Sequence, residues 1–155
     1  MPPTPRSSQQ LQKWLDYWWK TAENELNTSM PKPTLIVDAS NSLAHFKTAR
    51  GFAFAEPGDE GDSGEIVVAK KLLQQADDRI LGILLHEIGH AIDFALVPTG
   101  INNWATRRGR QLAQTPERRA DDIVWAVFSA VIRYDADNVQ TTEAGVSPRP
   151  EELGL

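Results

Sequence analysis

The chain contains no cysteine. Disulfide scaffolds, thiolate metal sites and cysteine nucleophiles are thereby excluded. Histidine is nearly as scarce, with only His45, His86 and His90 present. Any metal site must draw on these rings and on carboxylates. Long hydrophobic runs are missing too. The longest, Ile80 to Leu85, is interrupted by Gly82 and falls far short of the ~20 residues a membrane span needs. Residues 1–8 are rich in proline and serine and hold no apolar stretch, so no secretory signal is read. A cytoplasmic protein without membrane contact is expected. Excess positive charge is also lacking, with 16 Lys+Arg against 21 Asp+Glu. A nucleic-acid binder needs a basic face to displace counterions, so that class is disfavoured. The local cluster of Arg107, Arg108, Arg110, Arg118 and Arg119 reads as solvated helix surface.

What is present is ordinary globular material: 41% hydrophobic and 24% charged residues in a chain of 155. That suits one domain with its own core. Residues 1–8 read as a flexible start, 9–134 as the single domain, and 135–155, with Pro148 and Pro150, as a polar mobile tail. Leu11, Trp14, Leu15, Trp18 and Ala22 form one helical stripe, with Ser7 or Ser8 as cap. Thr34 to Val37 reads as a short buried strand. Two more strands are expected between Leu43 and Ala55, turning near Gly51. Glu56 to Gly64 is an acidic, glycine-rich turn that lacks the spacing of an EF-hand. Glu65 to Ala69 reads as a strand.

A long helix follows, with Asp77 or Asp78 as cap, Leu81, Leu84, Leu85, Ile88, Ile92 and Ala95 as its apolar stripe, and Pro98 and Gly100 as its end. A short helix is expected within 102–113. The last helix opens at Thr115-Pro116-Glu117 and runs to about Tyr134. The fold class is α+β, with a small mixed sheet packed on the long helix and a C-terminal helix.

His86-Glu87-Ile88-Gly89-His90 carries the chemistry. Residues four apart on a helix share a face, so both imidazoles can reach one ion, and Glu87 stands beside them as a base. Zn²⁺ suits nitrogen and oxygen ligands and brings the pKa of its water to about 7. With three histidines in the chain, two at this spacing around a glutamate are unexpected by chance. A catalytic zinc needs a third protein ligand. No histidine follows His90. His45 lies upstream on an expected strand. Asp93 would project past the site, in a supporting or capping role. Glu117 is the better candidate, with Asp121 four residues on along the same face.

His-Glu-x-x-His followed by Glu-x-x-x-Asp on a later helix resembles the gluzincin layout. The string Glu117-Arg-Arg-Ala-Asp121 is similar to the signature of ImmA/IrrE-type metallopeptidases, and minigluzincins share the compact plan. The resemblance spans about Gly64 to Ile132. It implies a zincin-like fold, one catalytic Zn²⁺ held by His86, His90 and Glu117, and Glu87 as general base. It also implies that Asp121 orients the ring of His86. The implied activity is hydrolysis of peptide bonds in a peptide or protein substrate.

The resemblance further implies an edge strand above the active-site helix that pairs with an extended substrate. Glu65, Ile66, Val67 and Val68 are the match, since they precede that helix. The other reading of this segment is an inner strand. Tyr134, Arg133, Arg119 and His45 are candidate donors to the developing oxyanion. The competing function is a zincin-fold binding or regulatory module that does not cut.

Overall fold

In the computed structural model, residues 2–59, 62–96 and 116–143 are described. They form an α+β fold. Helix α1 spans Ser8–Leu26. Ser7 caps it by accepting a hydrogen bond from the Gln10 amide at 3.2 Å, and Asn27, with φ of 52°, ends it in the left-handed region. Its buried stripe is Leu11, Trp14, Leu15, Trp19 and Ala22. Trp19 rather than Trp18 completes the stripe. Trp19 gains a partner for its ring N–H in the Met30 carbonyl, while Trp18 packs edge-on against Phe128 nearer the surface.

Three strands make the first sheet: β1, Thr34–Asp38; β2, Ala53–Glu56; and β3, Glu65–Ala69. The order is β1-β3-β2, with β1 parallel and β2 antiparallel to β3. This is the expected small mixed sheet. The expectation of an exposed, substrate-pairing edge at Glu65 to Val68 is overturned, because β3 is the central strand and both of its edges are paired. Its unbroken run of buried Ile66, Val67, Val68 and Ala69 is the composition of a strand covered on both faces. Among the described residues, the unpaired edges belong to β1 and β2. β1 is less buried than its sequence implied, with Ile36 well exposed. His45 sits in a 3-10 turn, Ala44–Lys47, where a strand was expected. The Asp38 carboxylate draws the chain off the sheet there by accepting from the Ser40 and Leu43 amides.

Helix α2, Asp77–Leu96, is buried on all sides from Ile80 to Asp93. Asp77 and Asp78 lie inside its first turn instead of capping it. There they favour the helix dipole, and Asp77 binds Arg6 and Thr4. Helix α3, Pro116–Phe128, packs along α2. It stops six residues before the expected Tyr134, at Ser129 with φ of 53°. The chain then forms β4, Val131–Tyr134, paired antiparallel with β5, Gln140–Glu143. Asp135 ties the connecting turn by accepting from the Asp137 and Val139 amides, and it pairs with Arg79 of α2. Residues 135–143 are therefore part of the fold, not of a tail. The expected helix within 102–113 and residues 144–155 lie outside the described residues. No described helix is long and apolar enough to cross a membrane.

Two glycines seven residues apart let backbones touch α2. A Cβ at Gly82 would stand 2.6 Å from the Thr141 carbonyl carbon, and one at Gly89 would stand 2.6 Å from the Ala120 carbonyl oxygen. Neither neighbour is a flexible side-chain tip. Alanine raises helix propensity, yet Gly82→Ala and Gly89→Ala are each expected to lose about 1–3 kcal/mol of stability through overpacking. Denaturant unfolding measures this. Only Gly89→Ala should also impair metal binding, because Ala120 lies between Glu117 and Asp121.

Candidate metal centre

The i, i+4 spacing on α2 brings the His86 and His90 rings to a 4.8 Å centroid separation at 89°. The first turn of α3 adds Glu117. His86 Nε2 lies 3.2 Å from His90 Nε2 and 2.9 Å from Glu117 Oε2, while His90 Nε2 lies 3.1 Å from Glu117 Oε1. These three residues converge closely enough to hold a metal ion. Zinc–ligand bonds of about 2.0–2.2 Å in a tetrahedron separate neighbouring ligand atoms by about 3.3 Å, close to the edges found here.

The chemistry of the donor set agrees. The Asp121 carboxylate accepts from His86 Nδ1 at 2.7 Å, so a neutral His86 turns its lone pair at Nε2 toward His90 and Glu117. Three electron-pair donors then face one point. Only a cation or a bound proton relieves that crowding. In the metal-free chain the proton does so. Burial opposes a charged His86, but hydrogen bonds from its ring to Asp121 and Glu117 prevail and push it up to about 10. Those same contacts from His86 and His90 hold Glu117 below the usual carboxylate range.

Glu87 is the exception to this pairing. It is 6% exposed, and its Oε2 has no hydrogen-bond partner among the described residues. Burial raises its pKa, partly offset by the two histidine rings. A buried carboxylate oxygen without a partner is costly. Glu87, His90 and Glu117 share a cavity of about 440 Å³ with Ile83, Phe54 and Phe94. Asn138, Gln140, His45 and Arg50 also line it.

Of the residues singled out in sequence, His86, Glu87, His90, Glu117 and Asp121 come together. Asp93 does not reach the rings. It forms a two-pronged pair with Arg119, both contacts at 2.9 Å, and so fastens α2 to α3 two residues from Glu117. Three candidate oxyanion donors are engaged elsewhere. Tyr134 Oη donates to Asp121 Oδ2 at 2.6 Å, Arg119 holds Asp93, and His45 contacts the Ala53 carbonyl. Burial and the neighbouring Asp121 raise the Tyr134 pKa, so its hydroxyl stays a donor. Glu65 to Val68 lie in the middle of the sheet, and the cavity is lined instead by Ala53 to Ala55 of β2. Sequence reasoning missed Asn138 and Gln140, which sit in a stretch whose polar composition resembles a tail. No family profile, curated protein or solved structure matches this chain.

Asp121→Ala should weaken metal binding about 10–100-fold, the usual effect of losing a carboxylate that orients a ligand imidazole. Competition with a chromophoric chelator reads this directly. The metal-free chain should also show a pH signature. A raised His86 pKa contributes stability fully below its ordinary 6.5, and that contribution fades as pH rises toward about 10. Unfolding midpoints of chelator-treated protein should fall across this window, and a flat profile would contradict the Asp121 and Glu117 contacts.

Proposed function

We propose that this chain is a zinc-dependent peptidase of gluzincin type, with a zincin-like fold and one catalytic Zn²⁺. The observation that carries the reading is the Oε2 of buried Glu87, which has no hydrogen-bond partner among the described residues and lies in the cavity lined by His90 and Glu117, two of the three residues whose ligand atoms converge. His86, His90 and Glu117 would hold the ion. When bound, zinc supplies Lewis acidity and lowers the pKa of a water to about 7.

The protein's own groups do the rest. Glu87 takes the proton of the attacking water at Oε2 as the new C–O bond forms, and returns it to the departing amine as the C–N bond breaks. Burial raises the basicity of Glu87, which suits it to both transfers. Asp121 keeps the His86 ring in one tautomer and one orientation, and Tyr134 steadies Asp121 from β4. Asp93 and Arg119 set the separation of the two helices. Ile83, Phe54 and Phe94 give the cavity an apolar wall against which a substrate side chain can exclude water.

Purified protein should carry about one zinc per chain, as a single three-ligand site requires. Glu87→Gln should keep the fold and the zinc but lose cleavage of a peptide library by at least about 100-fold, the scale of a general base. Persistent cleavage would remove Glu87 from the mechanism. Protein that stays metal-free in added zinc would sink the whole reading. Glu117→Ala should weaken zinc binding far more than Asp93→Ala, and the reverse order would move the third ligand.

A further inference from the structure

Among the described residues the outer edge of β2 is unpaired, and Ala53 and Ala55 line the cavity that holds Glu87 and His90. Pairing with β3 decides which backbone groups face outward. The Phe52 carbonyl accepts from the Ala69 amide at 2.8 Å, so Phe52, Phe54 and Glu56 turn their amide groups toward β3. Ala53 and Ala55 turn theirs to the free edge. One of these outward groups is already taken. His45 Nε2 lies 3.1 Å from the Ala53 carbonyl oxygen, and since a carbonyl only accepts, the ring donates.

Several contacts fix His45 in that place. Its ring packs edge-on against Phe46 and Phe54, at 5.7 and 5.6 Å. Lys71 Nζ donates to the Phe46 and Thr48 carbonyls at 2.7 and 2.8 Å, clamping the turn that carries it. The Thr48 hydroxyl donates to the His45 carbonyl at 3.1 Å. At Gly51 the chain returns so tightly that a Cβ would sit 1.7 Å from that same carbonyl oxygen, which leaves glycine the only residue that fits. These contacts hold the turn and seat the exposed ring against the Ala53 carbonyl.

We infer that His45 is a specificity-determining stop, which ends the edge where an extended peptide substrate pairs with β2. The inference rests on the peptidase reading. A strand added to a sheet edge gains affinity from main-chain hydrogen bonds. At Ala55 both the N–H and the C=O are directed to the free edge. At Ala53 the acceptor is already used, and the imidazole stands in the lane of an incoming strand. A peptide that continues past Ala53 gains no further pairing. The favoured substrate is therefore a short extended segment, or one that bends away after the residue opposite Ala55.

The test uses the full, zinc-loaded chain carrying Glu87→Gln, so that nothing is cut. Peptides are lengthened one residue at a time from either end and titrated by calorimetry. Affinity should rise and then level off on one side. Adding His45→Ala should move that plateau outward by about two residues, the repeat of outward-facing groups. Longer peptides should then bind about fivefold tighter, the factor one main-chain hydrogen bond of about 1 kcal/mol gives. His45→Gln, which keeps an N–H donor, should leave the plateau in place. A measurement without any change at His45 gives a second check. N-methylation of the peptide amide opposite Ala55 should weaken binding, and methylation beyond Ala53 should not.

An identical plateau with and without His45→Ala, or equal sensitivity to both methylations, overturns the stop. Failure of every peptide to bind overturns the stop and the peptidase reading together. The length effect in a chain that never cleaves, even with Glu87 intact, supports the stop and refutes only the peptidase reading.

Discussion

The candidate centre depends on one close approach, that of α3 to α2 where Gly89 meets the Ala120 carbonyl. Ala120 is fully buried and lies between Glu117 and Asp121. With the backbones this near, a carboxylate from each flank of Ala120 reaches the same imidazole, Asp121 at Nδ1 and Glu117 at Nε2. A larger residue at 89 would push α3 away and lengthen both contacts at once. The pairing of Arg119 with Asp93 fixes the register. A slip of one residue along α3 would rotate its side chains by about 100° and take both carboxylates off the ring.

The hairpin after α3 completes the arrangement from the other side. Gly82 lets the β5 backbone lie against α2 at Thr141. Arg79 holds the hairpin turn through Asp135. At the end of β4, Tyr134 donates to Asp121, so a chain of hydrogen bonds runs from the hairpin through Asp121 to His86. Buried polar groups gain from such linkage, because each partner is held by the next. Glu87 stands outside this chain of hydrogen bonds, its Oε2 without a partner among the described residues.

How far the sequence could be read follows from which contacts are local. α1 and α2 were legible because each carries its own period and boundary signals. The His86/His90 pair followed, since i, i+4 spacing is geometry within one helix. Glu117 and Asp121 were placed as ligand and orienter by the resemblance of their spacing to a known layout. The roles of Gly82 and Gly89 were invisible, because a glycine in a helix records no partner. Sheet order was also out of reach. The run Ile66-Val67-Val68-Ala69 was legible as a strand, but which strands flank it depends on contacts with Thr34 to Asp38 and Ala53 to Glu56, far apart in the chain. The strand nearest α2 in sequence was therefore taken for an edge, whereas it is the central strand between β1 and β2. The stop of α3 at Ser129 was missed because Val131 and Ile132 continue an apolar pattern that suits helix and strand alike.

Exposure across the centre points to an order of assembly. His86, Glu87 and His90 are 1%, 6% and 9% exposed, while the Glu117 side chain is 68% exposed. The two imidazoles are set by the most buried helix of the fold and are in place whenever α2 is packed. Glu117 enters from the first turn of α3, at the rim of the cavity, and depends on docking between helices. Helix ends fray before helix middles, so of the three converging groups the Glu117 carboxylate depends most on local order. It is also the group on the side of the cavity shared with Glu87, His90 and β2, away from the buried middle of α2.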